Sequence, residues 1–419
     1  MTNKKLKIAI WHNLPSGGGK RQLYNHVKGL VERGHYLESW CPDTADQKYL
    51  PLSNIIKENI IPLNKKNKLF NHPSKPLRVV KELLAVMEEH CKICAEKINN
   101  RDFDILYANA CMYLRTTPIA EYIKLPSAIY LGEPYRYFYE ALPELPWIAP
   151  QSSYKMHLSL GSIKDYIIKR ATINGIRLQA RAELEYAKQF DLILANSIIS
   201  RESILRTYNL ESSVCYLGID TDYFRPEGGK KENYVVGLGT IYLAKGVDRA
   251  IRAISTIKKE KRPDLIWIGN GAYKRDLEKF NSMANELGVN FIPKMNIPDE
   301  ELIALLSRAA VMIYTSRLEP FGLAPLEANS CGTAVVGIAE GGIRETVKDG
   351  VNGFLANDAN PHVLGELVYR FIDNPKLSLD MGVKSAEYVT KYWNMESCTN
   401  NIESALMQLS SKGRCHGEY

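Results

Sequence analysis

The sequence contains no apolar run approaching the length of a membrane span, which argues against an integral membrane protein. Its first residues, Met1-Thr-Asn-Lys-Lys-Leu-Lys-Ile8, are basic but lack the apolar stretch of a signal peptide. Eight cysteines in 419 residues form no disulfide pattern, so reduced thiols and a cytoplasmic location are expected. Cys91-x-x-Cys94 has no second pair near it and falls in a helical pattern, which argues against a zinc site. The eight histidines show no ligand spacing, and His12 and His35 read as strand-end residues. No nucleic-acid recognition motif occurs. Gly269-Asn-Gly271 follows a strand, but no third glycine opens a helix after it, so it is not a dinucleotide fingerprint.

What is present is an ordinary globular composition, 45% apolar and 24% charged, in a chain too long for one typical core. Two domains are the expectation. Charge divides unevenly between them. Residues 1–222 carry 30 Lys and Arg against 23 Asp and Glu, a net +7, whereas residues 223–419 carry 24 of each. Much of the excess falls at Lys65, Lys66, Lys68, Lys75, Arg78 and Lys81, and at Lys155, Lys164, Lys169, Arg170, Arg177 and Arg181. Such stretches are either solvated basic faces or docking surfaces for an anionic membrane or nucleic acid.

Residues 7–12 read as a first strand, followed by a loop holding Gly17-Gly18-Gly19 and a helix with Leu23, Val27, Leu30 and Val31 on one face. Further strands are expected at 35–41, 105–108, 128–131, 192–195 and 214–217. A turn-rich hinge, Phe224-Arg-Pro-Glu-Gly-Gly-Lys-Lys-Glu-Asn233, precedes a second series at 234–238, 265–268, 289–292, 311–315 and 334–338. The alternation predicts an α/β protein of two Rossmann-like domains facing across a cleft.

The densest chemical signal is Glu319-Pro-Phe-Gly-Leu-Ala-Pro-Leu-Glu327. A buried strand precedes it and a helical stretch, 323–331, follows. Pro325 is tolerable only in the first turn, so it fixes where that helix begins. Free N–H groups and the positive end of a helix dipole then stand between two carboxylates, a ready site for a diphosphate. Lys245, in Gly239-Thr-Ile-Tyr-Leu-Ala-Lys-Gly246, lies between a strand and a helix. The triplet at Gly17 to Gly19 would let backbone approach phosphates closely. Asp220-Thr-Asp222 reads as a cap or turn rather than a metal site.

The Glu319–Glu327 phrase resembles the E-x7-E signature of the family 4 retaining glycosyltransferases (glycosyl transferases group 1), which have the GT-B architecture. Ala195-Asn-Ser197, the run from Cys215 to Phe224, the loop from Gly239 to Asp248, Glu340-Gly-Gly342 and Asp349-Gly-Val-Asn-Gly353 also resemble that family. The resemblance implies an N-terminal acceptor-binding domain over 1–222 with a returning C-terminal helix, 392–419. It implies a nucleotide-sugar-binding domain over 223–391. It implies a hexosyltransferase that retains anomeric configuration by front-face displacement, with no metal and no cofactor beyond its nucleotide-sugar substrate, a GDP- or UDP-hexose. Carried over residue by residue, Glu319 would hold the sugar, aided by Phe321, Gly322 and Leu323. Glu327 would bind the ribose, Lys245 the diphosphate, Gly18 and Gly19 the phosphates, and residues 293–295 the base.

The sequence departs from the family where an Arg is usual and Thr240 stands, and where a His is usual and Asn109 stands. A second motif histidine is replaced by Gly132. Asn109, Glu133 and Arg136 are the acceptor-side candidates; Glu133 and Arg136 read equally as a local ion pair. These departures keep open an alternative, a non-catalytic sugar-nucleotide-binding protein. With the basic first half, the resemblance implies a lipid-linked glycan acceptor in polysaccharide or lipopolysaccharide synthesis, and peripheral association with the inner membrane face.

Overall fold

The computed structural model describes residues 4–413 except 65, 66, 73, 141–144, 146, 147 and 149–159. The basic residues Lys65, Lys66 and Lys155, and Trp147, lie outside the described residues. The chain forms two compact units: residues 1–216 with 399–419, and residues 217–398. The expected boundaries were 222 and 392. Residues after 216 group with the second unit, where the N–H of Ile219 donates to the Trp393 carbonyl at 2.7 Å.

The first unit is a seven-stranded parallel sheet: β1 (Lys7–Asn13), β2 (Tyr36–Cys41), β3 (Lys57–Ile60), β4 (Ile105–Cys111), β5 (Ser127–Gly132), β6 (Leu192–Ala195) and β7 (Ser213–Val214), in the order β3-β2-β1-β4-β5-β6-β7. The central strands are apolar nearly throughout because helices cover a parallel sheet on both faces. The helix Gly18–Glu32 buries Leu23, Val27 and Leu30, each contributing roughly 1.5–3 kcal/mol. It begins within the glycine triplet, at Gly18 rather than after Gly19, since Gly17 supplies the turn with φ 131°. The last helix, Met395–Lys412, groups with this unit from Thr399 onward. There Glu403 accepts from Arg33 Nη1 at 2.5 Å and from His35 Nε2 at 2.8 Å.

The second unit is a six-stranded parallel sheet: β8 (Glu232–Leu238), β9 (Asp264–Gly269), β10 (Phe291–Met295), β11 (Ala309–Tyr314), β12 (Val335–Ile338) and β13 (Gly353–Ala356), in the order β10-β9-β8-β11-β12-β13. Its core holds Trp267, Phe280 and Phe371. Lys231, half-buried just before β8, donates to Ser307 O at 2.8 Å, Gly332 O at 2.6 Å and Thr333 Oγ1 at 2.7 Å. These bonds tie the start of the sheet to the turn that ends the helix Leu323–Ser330.

In each sheet the strand order reverses beside the first strand, between β1 and β4 and between β8 and β11. In parallel α/β sheets ligands bind outside the carboxyl ends of the strands at such a reversal.

Three expectations need correction. Strands β3 and β13 were not anticipated. Lys75 was read among surface cations, but it is 2% exposed and donates to Gln179 Oε1 at 3.2 Å. Finally, β7 stops at Val214, short of the expected 217.

Candidate active site

The second unit's strand reversal brings together two residues 74 positions apart. Lys245 follows β8, and Glu319 follows β11, its neighbour in the sheet. The Lys245 ammonium lies 3.0 and 2.9 Å from the two carboxylate oxygens of Glu319. The Ser316 hydroxyl donates to the second of these oxygens at 2.7 Å. Both charged side chains remain about one-fifth exposed, so a ligand can reach them.

The local backbone explains the approach. Lys245 ends a short turn, Leu243–Lys245, and Gly246 then turns with φ 76°. A Cβ on Gly246 would meet the Thr315 carbonyl at 2.2 Å, so only glycine lets this turn press against the end of β11. The Lys245 stem lies over Gly239, and Thr240 is the next residue along.

Glu319 sits on a loop backed by the Glu340-Gly-Gly342 segment. The N–H of Gly342 donates to the Glu319 carbonyl at 2.7 Å. A Cβ on Gly341 would meet that same carbonyl at 2.4 Å. The sequence marked these glycines only by resemblance; their physical role is to let one loop carry the other. Phe321 is buried with its ring 5.5 Å from that of Trp393, which anchors the loop from below.

Gly322, at φ 99° and ψ 63°, is the N-cap of the helix Leu323–Ser330, and no side chain caps it. The positive end of that helix therefore lies in the segment that carries Glu319. Pro325 occupies the third helical position, and Glu327 lies in the second turn. Glu327 is 6% exposed. Thr240, Lys245, Glu319, Phe321, Gly322, Leu323 and Glu327 thus all belong to this unit.

The other candidates lie in the first unit. Gly18 and Gly19 open the helix after β1. Asn109, on β4, is 2% exposed, and its Nδ2 has no hydrogen-bond partner. Arg136 lies 3.5 Å from Glu133 and 2.8 Å from Glu140, a local ion cluster at the end of β5. Tyr135 and Phe138 pack together with ring centroids 4.7 Å apart. Asp220 accepts from the N–H groups of Asp222 and Tyr223 at 3.2 and 3.1 Å, which makes Asp220-Thr-Asp222 a turn.

Residues 220–388 match the family described as Glycosyl transferases group 1. A D-inositol 3-phosphate glycosyltransferase of Streptomyces avermitilis is 25% identical over 62% of this chain and 63% of its own length. A GDP-mannose-dependent alpha-(1-6)-phosphatidylinositol monomannoside mannosyltransferase of Mycolicibacterium smegmatis is 31% identical over 42% of this chain and 51% of its own. The chain spans about three fifths of the length of the curated relatives it matches. Among solved structures, Anabaena HepE in complex with UDP and glucose superposes with a TM-score of 0.67 at 18% identity, covering 96% of this chain and 99% of that one. Sucrose-phosphate synthase from Thermosynechococcus elongatus gives 0.71 at 17% identity, covering 97% and 100%. At these identities the likeness shows the fold, and that fold is GT-B.

Proposed function

Because residues 220–388 belong to the glycosyl transferases group 1, we propose that this chain is a retaining glycosyltransferase that moves a hexose from a nucleotide sugar to a hydroxyl acceptor. The observation that carries the reading is the Lys245–Glu319 pair beside the uncapped start of the helix Leu323–Ser330. A diphosphate placed there would take Lys245 as counter-ion and the leading helix N–H groups as donors. Glu319 would then turn its oxygens to the sugar hydroxyls, and Glu327 would hold the ribose. The leaving phosphate, stabilised by Lys245, would accept the acceptor's proton. No metal is assigned to this transfer. In an assay of nucleoside diphosphate release, turnover should therefore survive EDTA, and product NMR should show the donor's anomeric configuration kept. Inversion, or donor unchanged whether or not acceptor is present, would favour a non-catalytic sugar-nucleotide-binding protein.

The carboxylates should separate in binding. Glu319→Gln should remove turnover while leaving nucleoside diphosphate affinity nearly intact, since this carboxylate is assigned to the sugar. Glu327→Ala should weaken nucleoside diphosphate binding. Calorimetric titration of both variants checks this, and equal loss in the two would contradict the separate roles.

For the acceptor we propose a lipid-linked glycan reached at an anionic membrane surface, in cell-surface polysaccharide or lipopolysaccharide synthesis. The helix Leu160–Ala187 supports this: Tyr166, Ile167 and Ile168 are 61%, 60% and 49% exposed, among exposed Lys164, Lys169 and Arg170. Among the described residues, no helix is long and apolar enough to cross a membrane. Near an anionic surface each Lys or Arg is worth about 1 kcal/mol. Sedimentation should show binding that requires anionic lipid, falls with salt, and weakens when Lys164, Lys169, Arg170 and Arg177 become Gln. Equal binding to neutral and anionic vesicles, or to neither, would leave a soluble acceptor as the better reading.

A further inference from the structure

The first unit holds a second cluster that the proposed transfer does not use. Ile10 pairs with Ser39, and Ser39 pairs with Glu58. Alternate residues share a face of a sheet, so His12 on β1 and Cys41 on β2 lie on the face that carries Glu58 on β3. There His12 Nε2 lies 2.9 Å from Glu58 Oε1, and Cys41 Sγ lies 3.8 Å from the same oxygen. One donor atom from each of the three lies within 4.8 Å of the other two. Zinc bonds of 2.0–2.3 Å at a tetrahedral angle give ligand spans of roughly 3.3–3.8 Å. The His12 side chain is fully buried and that of Glu58 is 2% exposed. His12 Nδ1, Glu58 Oε2 and the Lys20 amine are all buried without a hydrogen-bond partner. A buried carboxylate oxygen without a hydrogen bond is costly, which favours a further electropositive partner for Glu58.

We propose that His12, Cys41 and Glu58 bind a divalent transition ion, with zinc the best match to imidazole, thiolate and carboxylate together. Cys41 would give its thiol proton to solvent as the metal–sulfur bond forms. The ion would tie the ends of three adjacent strands, a stabilising role apart from the transfer chemistry. Lys20 is the opposing group: its charge interacts with Glu58, Cys41, Asp46 and His12, so it competes with a cation.

Cobalt(II) is the probe, because its thiolate complexes absorb in the near ultraviolet. Titrating the full-length, metal-free protein should give a thiolate-to-cobalt band saturating at one ion per chain, lost on adding zinc(II), and zinc should raise the melting temperature. Cys41→Ser should abolish the band. Glu58→Gln should weaken cobalt binding about tenfold or more, and Lys20→Met should tighten it several-fold. Cys415→Ser should change nothing, since Cys415-His416 near the chain end is the competing origin of a band. The proposal fails if folded wild-type protein takes up neither ion stoichiometrically. It fails equally if the band survives Cys41→Ser and disappears in Cys415→Ser. Should Cys41→Ser not fold, the Glu58→Gln and Lys20→Met titrations decide: no change in affinity in either overturns the proposal.

Discussion

Replacing Lys245 with alanine is expected to lower turnover by about 10²-fold or more, the usual loss when one preorganised donor to developing negative charge is removed. On the proposed reading this lysine carries an unusual burden, because Thr240 stands where the resembled family usually has an arginine as a second phosphate ligand. The Lys245 ammonium is held by both Glu319 oxygens, so its position is set before any ligand arrives. Since the two side chains touch, their substitutions should not add. Once Glu319→Gln has removed turnover, Lys245→Ala should lower it little further. Steady-state kinetics of both single variants and the double variant check this. A loss under threefold in Lys245→Ala would mean that phosphate stabilisation comes from elsewhere.

Acidification from pH 7 to pH 5 is expected to destabilise the first unit by about 2 kcal/mol for each of two buried histidines. Burial holds His26 down at about 3 and His90 at about 4. Trp11 Nε1 donates to His90 Nε2 at 3.3 Å, a bond that requires that nitrogen's lone pair. His26 Nδ1 lies 2.7 Å from the Tyr107 hydroxyl. With folded-state values below the unfolded value near 6.5, the unfolded chain binds more protons below pH 6.5. The stabilisation is therefore complete above that pH and is lost as pH falls toward the folded values. Glu183 works in the opposite direction, because burial raises its carboxyl. The histidine share is isolated by comparing wild type with a His26→Gln, His90→Gln double variant. Wild type should lose roughly 10 °C in melting temperature between pH 7 and pH 5, and the double variant should lose much less. Parallel pH profiles would contradict the assignment.

The two-series α/β pattern was legible because buried parallel strands write themselves as short apolar runs, as at residues 7–12 and 234–238. β3 was not legible: Lys57-Glu-Asn-Ile60 is an edge strand whose burial is partial, so it carries no apolar signature. β13, also at an edge, opens with Gly353, the last residue of a segment noted only for its family resemblance. Of the candidate site, the types and local settings of Lys245 and Glu319 could be read, because each lies between a strand and a helix. Their ion pair could not be read, because it depends on β11 lying beside β8 across an intervening pair of strands. The same holds for His12, Cys41 and Glu58. Their spacings of 29 and 17 residues match no ligand motif. Two of the three strands could be read, but Glu58 lies on β3, which could not, so the cluster had no signal in the sequence.

The account rests on a nucleoside diphosphate binding at Lys245 and the loop from Glu319 to Leu323. The most direct test is the melting temperature of wild type and Lys245→Ala with UDP, GDP, ADP and their hexose derivatives. A ligand at ~100 times its dissociation constant adds roughly 2.7 kcal/mol to stability. The account predicts that UDP or GDP, with its sugar, raises the wild-type melting temperature and that Lys245→Ala loses most of the rise. No shift with any of these ligands, or a shift that Lys245→Ala leaves whole, would contradict it.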